Sequence, residues 1–321
     1  MKILAADIGG TNSRFAQVEM NGLSNFSMTE PLIFPTWSDS VDSFDQLLDS
    51  YSANRPEGSP DVEEFDALSI AIAGAVSGKR ATLPNIPWDI DLTVSRRQDN
   101  TFLLNDFFAQ AHGFMDPDIF DRMHLVRPGA ALSPGSIAIV GAGTGLGHAA
   151  LKPADGERIV ITSEAGHATF SFIGDKERSL ESAMLARLGK NWLSGDDVVS
   201  GSGAAMLHEA LTGNSVSPAE ALKENDPESA TCRHFARFYA RVCRNYCLAM
   251  YPVETLVISG GVAAKNLHLL ESGTFIEEFN DGRSYRHILE RIPIYLNRDE
   301  LIGIKGAAIH AWLKLGPANK N

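Results

Sequence analysis

The chain opens with an almost wholly apolar segment that ends at an acid. Residues 2–8 (K-I-L-A-A-D-I) are typical of a buried strand, and the turn 9–12 (G-G-T-N) separates them from a second predicted strand at 14–19. The same arrangement recurs further along, where predicted strands at 136–140 and 147–151 flank another glycine-rich turn. The repeated strand–turn–strand pattern predicts two similar domains.

Apolar runs and helical spacing alternate through the rest of the chain. Strands are predicted at 67–75, 101–104, 254–259 and 292–296, and helices at 42–51, 107–114, 183–193, 233–250 and 301–315. Mixed strands and helices of these lengths indicate an α/β protein.

Composition and charge exclude several classes of partner. The chain has 321 residues, of which 44% are apolar and 21% charged, enough for one or two globular domains. A net charge of −12 argues against binding to nucleic acid or to an anionic membrane surface. No apolar run reaches the length of a membrane span or of a signal-peptide core, so we expect a cytoplasmic protein.

The cysteines carry little functional signal. The chain has Cys232, Cys243 and Cys247, an odd and sparse set without disulfide or zinc spacing. They indicate a reducing compartment and structural thiols.

The two glycine turns suggest phosphate binding. Residues 139–149 (I-V-G-A-G-T-G-L-G-H-A) lack the dinucleotide spacing, because Leu146 stands at the sixth position and a strand follows; the chain also lacks a P-loop. Backbone N–H groups of glycine hairpins can converge on phosphate oxygens, and Thr11 and Thr144 can add hydroxyl groups. Plain hairpins are the alternative. Asp7 would then anchor Mg²⁺ through water, or simply cap the turn.

Six segments in order carry a family resemblance: Asp7–Asn12, Leu104–Phe107, Gly141–Gly147, Glu164–His167, Ser259–Gly261 and Gly303–Ala308. Over residues 2–315 the chain resembles the bacterial glucokinases of the hexokinase/actin-like ATPase superfamily. No cysteine follows Glu164–His167 closely, so it is similar to the branch without structural zinc.

The resemblance implies a two-lobed actin-like ATPase/hexokinase fold (ribonuclease H-like), with duplicated mixed-sheet domains around a cleft. A small domain would comprise residues 1–106 plus 304–321, and a large domain residues 107–303. The implied reaction is transfer of the γ-phosphoryl group of Mg²⁺-ATP to the 6-hydroxyl of D-glucose, the first step of glycolysis. A homodimer is also implied.

Site residues follow from the matching positions. Asp106 would be the catalytic base, with a helix cap as the alternative reading of that residue. The expected sugar-binding residues are Asn105, Asp106, Glu164, His167, Asp196 and Gly74. The expected ATP-binding residues are Asp7, Gly9, Gly10, Thr11, Asn12, Gly143, Thr144, Gly145, Gly260 and Gly261.

One position departs from the family pattern. The family has a sugar-binding glutamate in the segment that reads S-G-D-D-V-V-S-G here, and its place is taken by Asp196. The shorter side chain leaves a kinase for another hexose (mannose, fructose or glucosamine) as an alternative, and a charge at a helix N-terminus as the structural reading of Asp196. A non-catalytic sugar sensor is the alternative from another functional class.

Overall fold

The computed structural model describes residues 1–83, 86–130, 133–223 and 226–316, and their contacts divide the chain into two compact units. Unit 1 is Met1–Asp121 with Leu301–Asn321, and unit 2 is Arg122–Glu300. The domain boundaries expected from the sequence, at 106/107 and 303/304, would place Asp106 in a different domain from the rest of the helix that it begins. The helix over 106–113 packs extensively against the C-terminal helix and therefore stays in unit 1.

The strands of the described residues are β1 (Lys2–Ile8), β2 (Asn12–Met20), β3 (Phe26–Met28), β4 (Leu32–Pro35), β5 (Ala67–Ile72), β6 (Ala75–Ser77), β7 (Arg80–Thr82), β8 (Ile90–Asp91), β9 (Thr101–Asn105), β10 (His124–Arg127), β11 (Ser136–Ala142), β12 (Leu146–Ala154), β13 (Glu157–Ser163), β14 (Val253–Ser259) and β15 (Ile294–Leu296). The helices are α1 (Phe44–Asn54), α2 (Asp106–Gly113), α3 (Gly174–Leu188), α4 (Gly195–Val198), α5 (Gly201–Thr212), α6 (Pro218–Ala221), α7 (Ala230–Ala249), α8 (Gly261–Lys265), α9 (Leu267–Glu271), α10 (Gly273–Asn280), α11 (Arg286–Leu289) and α12 (Ile302–Leu315).

Unit 1 is built on a sheet with the order β3-β2-β1-β5-β9, with β4 also paired to β2. β1 is antiparallel to β2 and parallel to β5, which is parallel to β9. Leu4 and Ile8 point into a core that includes Tyr51 of α1, whereas Ile3 and Ala5 pack with residues of α12. Burial on both faces explains why β1 reads as a continuous apolar run.

Unit 2 repeats the central part of this arrangement. Its sheet has the order β10-β15-β14-β11-β12-β13, in which β11 is antiparallel to β12 and parallel to β14. The antiparallel pair β11–β12 followed by the parallel strands β14 and β15 corresponds to β1–β2 followed by β5 and β9. The duplication predicted from the two glycine turns is therefore confirmed at the level of topology.

The predicted helix over 183–193 is wrong at both ends. Its place is taken by α3, which begins at Gly174 and ends at Leu188, where Gly189 adopts a left-handed conformation with φ of 64°. A glycine in this conformation satisfies the last carbonyl groups and terminates the helix. The sequence prediction also missed α5. Among the described residues, no helix is long and apolar enough to cross a membrane.

Two buried histidines lie between α2 and α12. The rings of His112 and His310 meet edge to face with centroids 4.8 Å apart, and both side chains are almost fully buried. Burial lowers the pKa of His112 to about 4. Burial also lowers the pKa of His310 to about 3, with the positive charges of protonated His112 and of Lys314 adding to the effect. The folded protein therefore holds both rings neutral.

Acid should destabilise unit 1 through this pair. Because the unfolded pKa of histidine is about 6.5, the unfolded chain takes up protons first as the pH falls below that value, and the pair's contribution is lost toward pH 4 and below. Each histidine should lower the free energy of unfolding by about 2 kcal/mol when the pH falls from 7 to 5. Urea unfolding of the wild type and of His310→Phe should show about 2 kcal/mol less acid sensitivity in the variant. Equal losses in both proteins would contradict the prediction.

Candidate functional site

The first glycine turn joins β1 to β2 in unit 1. The N–H of Gly9 donates to the carbonyl of Asn12 at 3.1 Å, and Gly10, Thr11 and Asn12 are exposed. The turn is thus a tight hairpin with exposed residues at its tip. Its geometry is compatible with the phosphate binding that the sequence predicts.

A residue outside the predicted set holds this turn in place. Thr36, directly after β4, donates its hydroxyl to the Gly9 carbonyl at 2.7 Å and its N–H to the Thr11 carbonyl at 3.0 Å. The hydroxyl of Ser13 lies 2.9 Å from that of Thr36, and both side chains are fully buried. Sequence analysis missed Thr36 because the contact joins segments that are far apart in the chain.

Asp7 lies near the end of β1 with its carboxylate half-buried. Its Oδ2 is 3.8 Å from Nη1 of Arg14, the residue directly opposite it on β2. Burial raises the pKa of Asp7, and the positive charge of Arg14 opposes that increase. Asp7 stands in β1 shortly before the glycine turn, and its role as a Mg²⁺ anchor stays a prediction.

Three predicted residues lie at the ends of the neighbouring parallel strands. Asn105 pairs in register with Ile72, which pairs with Ile8, so β1, β5 and β9 end at one edge of the sheet. Asp106 follows at this edge, and Nδ2 of Asn105 donates to the carbonyl of Gly74 at 3.4 Å. The register thus brings Gly74, Asn105 and Asp106 to the edge that carries the first glycine turn.

The cap of α2 is Asn105 and not Asp106. Oδ1 of Asn105 accepts from the N–H groups of Phe107 and Phe108 at 3.0 and 3.2 Å. Asp106 is the first residue of the helix, and its Oδ1 accepts from the N–H of Phe107 at 2.9 Å. The capping role weighed for Asp106 therefore belongs mainly to its neighbour, which fixes the start of α2.

The second glycine turn joins β11 to β12 in unit 2. Ala142 and Leu146 face each other across the hairpin, and the N–H of Gly143 donates to the Gly145 carbonyl at 2.7 Å. Thr144 is exposed at the tip. Gly260, with φ of 90°, follows β14 and precedes α8, and a Cβ built on it would lie 2.5 Å from the Ala142 carbonyl oxygen. The structure therefore brings the predicted turns 143–145 and 260–261 together within unit 2.

A single 3₁₀ turn, Ala165–His167, follows β13; Glu164 directly precedes it and His167 is its last residue. Oε2 of Glu164 lies 3.7 Å from Nε2 of His167, and both side chains are largely exposed. A Cβ on Gly166 would overlap the carbonyl oxygen of Leu146, so glycine lets this turn lie directly on the start of β12. The two predicted sugar ligands thus stand side by side, close to the second glycine turn.

Asp196 occupies the first turn of α4 and contacts the same hairpin. Its Oδ1 accepts from the N–H of Leu146 at 2.7 Å. The neighbouring Asp197 instead forms a capping box with Ser194 and an ion pair of 2.6 Å with Lys190. In the structure Asp196 is thus bound to the backbone of the glycine hairpin.

Comparison with known proteins gives the family. A family model described as Glucokinase matches residues 4–313. The chain belongs to the glucokinase family. A glucokinase of Zymomonas mobilis is 32% identical over 327 residues, covering 96% of this chain and 97% of the relative. A glucokinase of Caulobacter vibrioides is 27% identical over 324 residues, covering 95% and 94%.

Solved structures confirm the expected fold. A glucokinase from an Antarctic psychrotroph has a TM-score of 0.78 at 25% identity, covering 97% of this chain and 98% of that one. A hexokinase of Thermus thermophilus has a TM-score of 0.68 at 19% identity, covering 98% and 99%. The predicted actin-like ATPase/hexokinase fold and the predicted class of enzyme, a hexokinase-type phosphotransferase, are both confirmed for this glucokinase family member.

Proposed function

We propose that this chain transfers the γ-phosphoryl group of ATP to the 6-hydroxyl of D-glucose, with Asp106 as the base. The observation that carries the proposal is that β1, β5 and β9 end at the same edge of their sheet. Asp106, directly after β9, therefore lies at the edge that also carries the phosphate-type turn of unit 1. A carboxylate in this setting can take a hydroxyl proton while backbone N–H groups hold phosphate oxygens. Family membership supports the assignment of the substrate.

The proposed reaction is a single displacement at the γ-phosphorus of ATP. The 6-oxygen of glucose forms a bond to the γ-phosphorus, and the bond from that phosphorus to the β–γ bridging oxygen breaks. The hydroxyl proton passes to a carboxylate oxygen of Asp106, and ADP leaves with the electron pair. Asn105, which caps α2 and binds the Gly74 carbonyl, keeps the start of the helix and therefore Asp106 in place.

Within unit 1, Asn105 and the backbone of Gly74 are the proposed sugar-binding groups. Within unit 2, Glu164 and His167 are proposed as sugar-binding residues. The exposure of Glu164 and His167, together with their mutual contact, fits a pair that accepts and donates to neighbouring hydroxyls. Each bond to a specific hydroxyl group would discriminate against a sugar that lacks it.

Mg²⁺ would bind together with ATP and would neutralise part of the charge of its phosphates. No group of three or more His, Cys, Asp or Glu side chains in the described ranges could hold a metal ion. Mg²⁺ in such enzymes keeps several waters and takes one or two carboxylates besides the phosphates, so the single carboxylate of Asp7 fits. We propose that Asp7 holds the ion through water.

We also propose that the protein is cytoplasmic and forms a homodimer. Cys232, Cys243 and Cys247 are buried free thiols, which supports a reducing compartment and hence the cytoplasm. The family resemblance supports a homodimer. Light scattering of the purified chain would give twice the mass of 34.7 kDa if the dimer forms.

A coupled assay for hexose 6-phosphate tests the function. With Mg²⁺-ATP, glucose should give the highest kcat/KM among glucose, mannose, fructose and glucosamine. Turnover of another hexose alone would support the phosphoryl-transfer chemistry, overturn glucose as the substrate and point to Asp196, which stands where the family has glutamate. Glucose binding without turnover of any hexose would overturn the kinase in favour of a sugar sensor.

A further inference from the structure

Ala142 and Leu146 close the second glycine hairpin, and each donates its N–H to a side chain of a helix. The N–H of Ala142 donates to the hydroxyl of the buried Tyr239 at 3.1 Å, and the N–H of Leu146 donates to Oδ1 of Asp196 at 2.7 Å. At the tip, the carbonyl of Gly143 accepts from the N–H of Gly201 at 2.9 Å. Contacts from α7, α4 and α5 thus hold both sides of the turn.

The contact from Asp196 is the charged one among these. A hydrogen bond from a backbone N–H to a carboxylate is shorter and stronger than a bond between neutral groups. A Cβ built on Gly145 would lie 2.6 Å from Oδ1 of Asp196, so a side chain at position 145 would displace the carboxylate. The glycine that frees the turn to approach phosphate also lets Asp196 close onto it.

The position of Asp196 is fixed by its own helix. Ser194 accepts from the N–H of Asp197 at 3.1 Å, and the carboxylate of Asp197 accepts from the N–H of Ser194 at 3.0 Å. Lys190 holds the other oxygen of Asp197 at 2.6 Å. These bonds hold the first turn of α4 in place, and the carboxylate of Asp196 is thereby positioned to accept from the Leu146 N–H.

We infer that Asp196 is a positioning residue for the phosphate-binding turn 143–145, through its carboxylate on the Leu146 N–H. The inference rests on the proposed function, in which this turn binds the phosphates of ATP. A carboxylate already bound to the hairpin backbone orders the N–H groups of the turn before the nucleotide arrives. Its loss should weaken nucleotide binding directly, whereas a purely sugar-binding residue would leave nucleotide binding unchanged.

Calorimetric titration of the full chain with Mg²⁺-ADP tests this. Asp196→Ala should weaken ADP binding by about tenfold or more, the effect of losing a charge-assisted hydrogen bond. Asp196→Asn should bind ADP within about threefold of the wild type, because its amide oxygen can still accept from Leu146. Asp175→Ala is the matched control: it removes an exposed acid from the first turn of α3, outside the bonds that hold the hairpin, so it should leave ADP affinity unchanged.

Two results would overturn the inference. One is ADP affinity in Asp196→Ala within about twofold of the wild type, with the loss confined to the KM for glucose. The other is an equal loss of ADP affinity in Asp175→Ala, which would point to an effect of net charge and not to the bond from Asp196 to Leu146. If Asp196→Ala does not fold, Asp196→Ser replaces it, because its shorter side chain cannot make the 2.7 Å bond to the Leu146 N–H; unchanged ADP binding would then count against the inference.

The measurement separates this inference from the proposed function. ADP affinity is determined without turnover, so a wild type that binds ADP but phosphorylates no hexose would overturn the kinase only. The variants would still report whether Asp196 orders the turn.

Discussion

Asp106→Asn should lower kcat for glucose phosphorylation by about 10²- to 10⁴-fold, the usual contribution of a positioned general base. The asparagine cannot take the proton of the 6-hydroxyl, but its amide oxygen can still accept from the Phe107 N–H, which Oδ1 of Asp106 accepts at 2.9 Å. The cap from Asn105 is also untouched. We therefore expect the KM for glucose and the Tm to stay close to the wild-type values.

The control is a carboxylate at the other end of the same strand. Asp99 precedes β9, is exposed and lies at the edge of the sheet opposite to Asp106. Asp99→Asn removes the same charge and should keep kcat within about twofold, as surface substitutions commonly do. A kcat for Asp106→Asn within tenfold of the wild type would remove Asp106 from the role of base.

Much of the architecture could be read from local pattern. β1 has the bounds that its apolar run predicts, and β14 and α12 each differ from the prediction by one residue at one end. These elements are buried on one or both faces, so their hydrophobic pattern directly records the core. The positions of Asp106 after β9 and of Glu164 and His167 after β13 follow from the same local signals.

The parts that the sequence did not predict depend on contacts between distant segments. Thr36 reaches Gly9, and Asp196 reaches Leu146, each through a hydrogen bond that spans tens of residues. No periodicity marks such a bond, because a threonine after a strand or an acid at a helix start has a plausible local role of its own. Similarly, the exposed character of α3 gave its residues 174–182 no clear apolar stripe.

The second large effect concerns stability and a buried charge cluster in unit 2. Arg241 of α7 donates to both carboxylate oxygens of Glu177 at 2.6 and 3.0 Å and to Oε1 of Glu278 at 2.9 Å. It also donates to the carbonyl of Ser171 at 2.8 Å and lies over the ring of Phe170. The cluster therefore binds the segment that follows the Glu164–His167 turn to the helical layer.

Arg241→Leu should lower the free energy of unfolding by about 3–5 kcal/mol, because it leaves the buried carboxylate of Glu177 without its partner. Burial acts to raise the pKa of Glu177, but the bonds from Arg241 and from the Ile173 N–H together hold that pKa below its ordinary value. Without the guanidinium the desolvation of the carboxylate is no longer offset, and the group must take a proton or be exposed to water. Urea unfolding at neutral pH measures the loss.

Arg237→Leu is the matched control, one helical turn earlier on the same helix. Its Nε lies 3.9 Å from Oε2 of Glu278 and its side chain is 44% exposed, so the substitution should cost less than about 1 kcal/mol. Adding Glu177→Gln to Arg241→Leu should recover part of the loss, since an uncharged amide replaces the unpaired carboxylate. Equal losses for Arg237→Leu and Arg241→Leu would show that net charge, and not the buried pairing with Glu177, sets the stability of this layer.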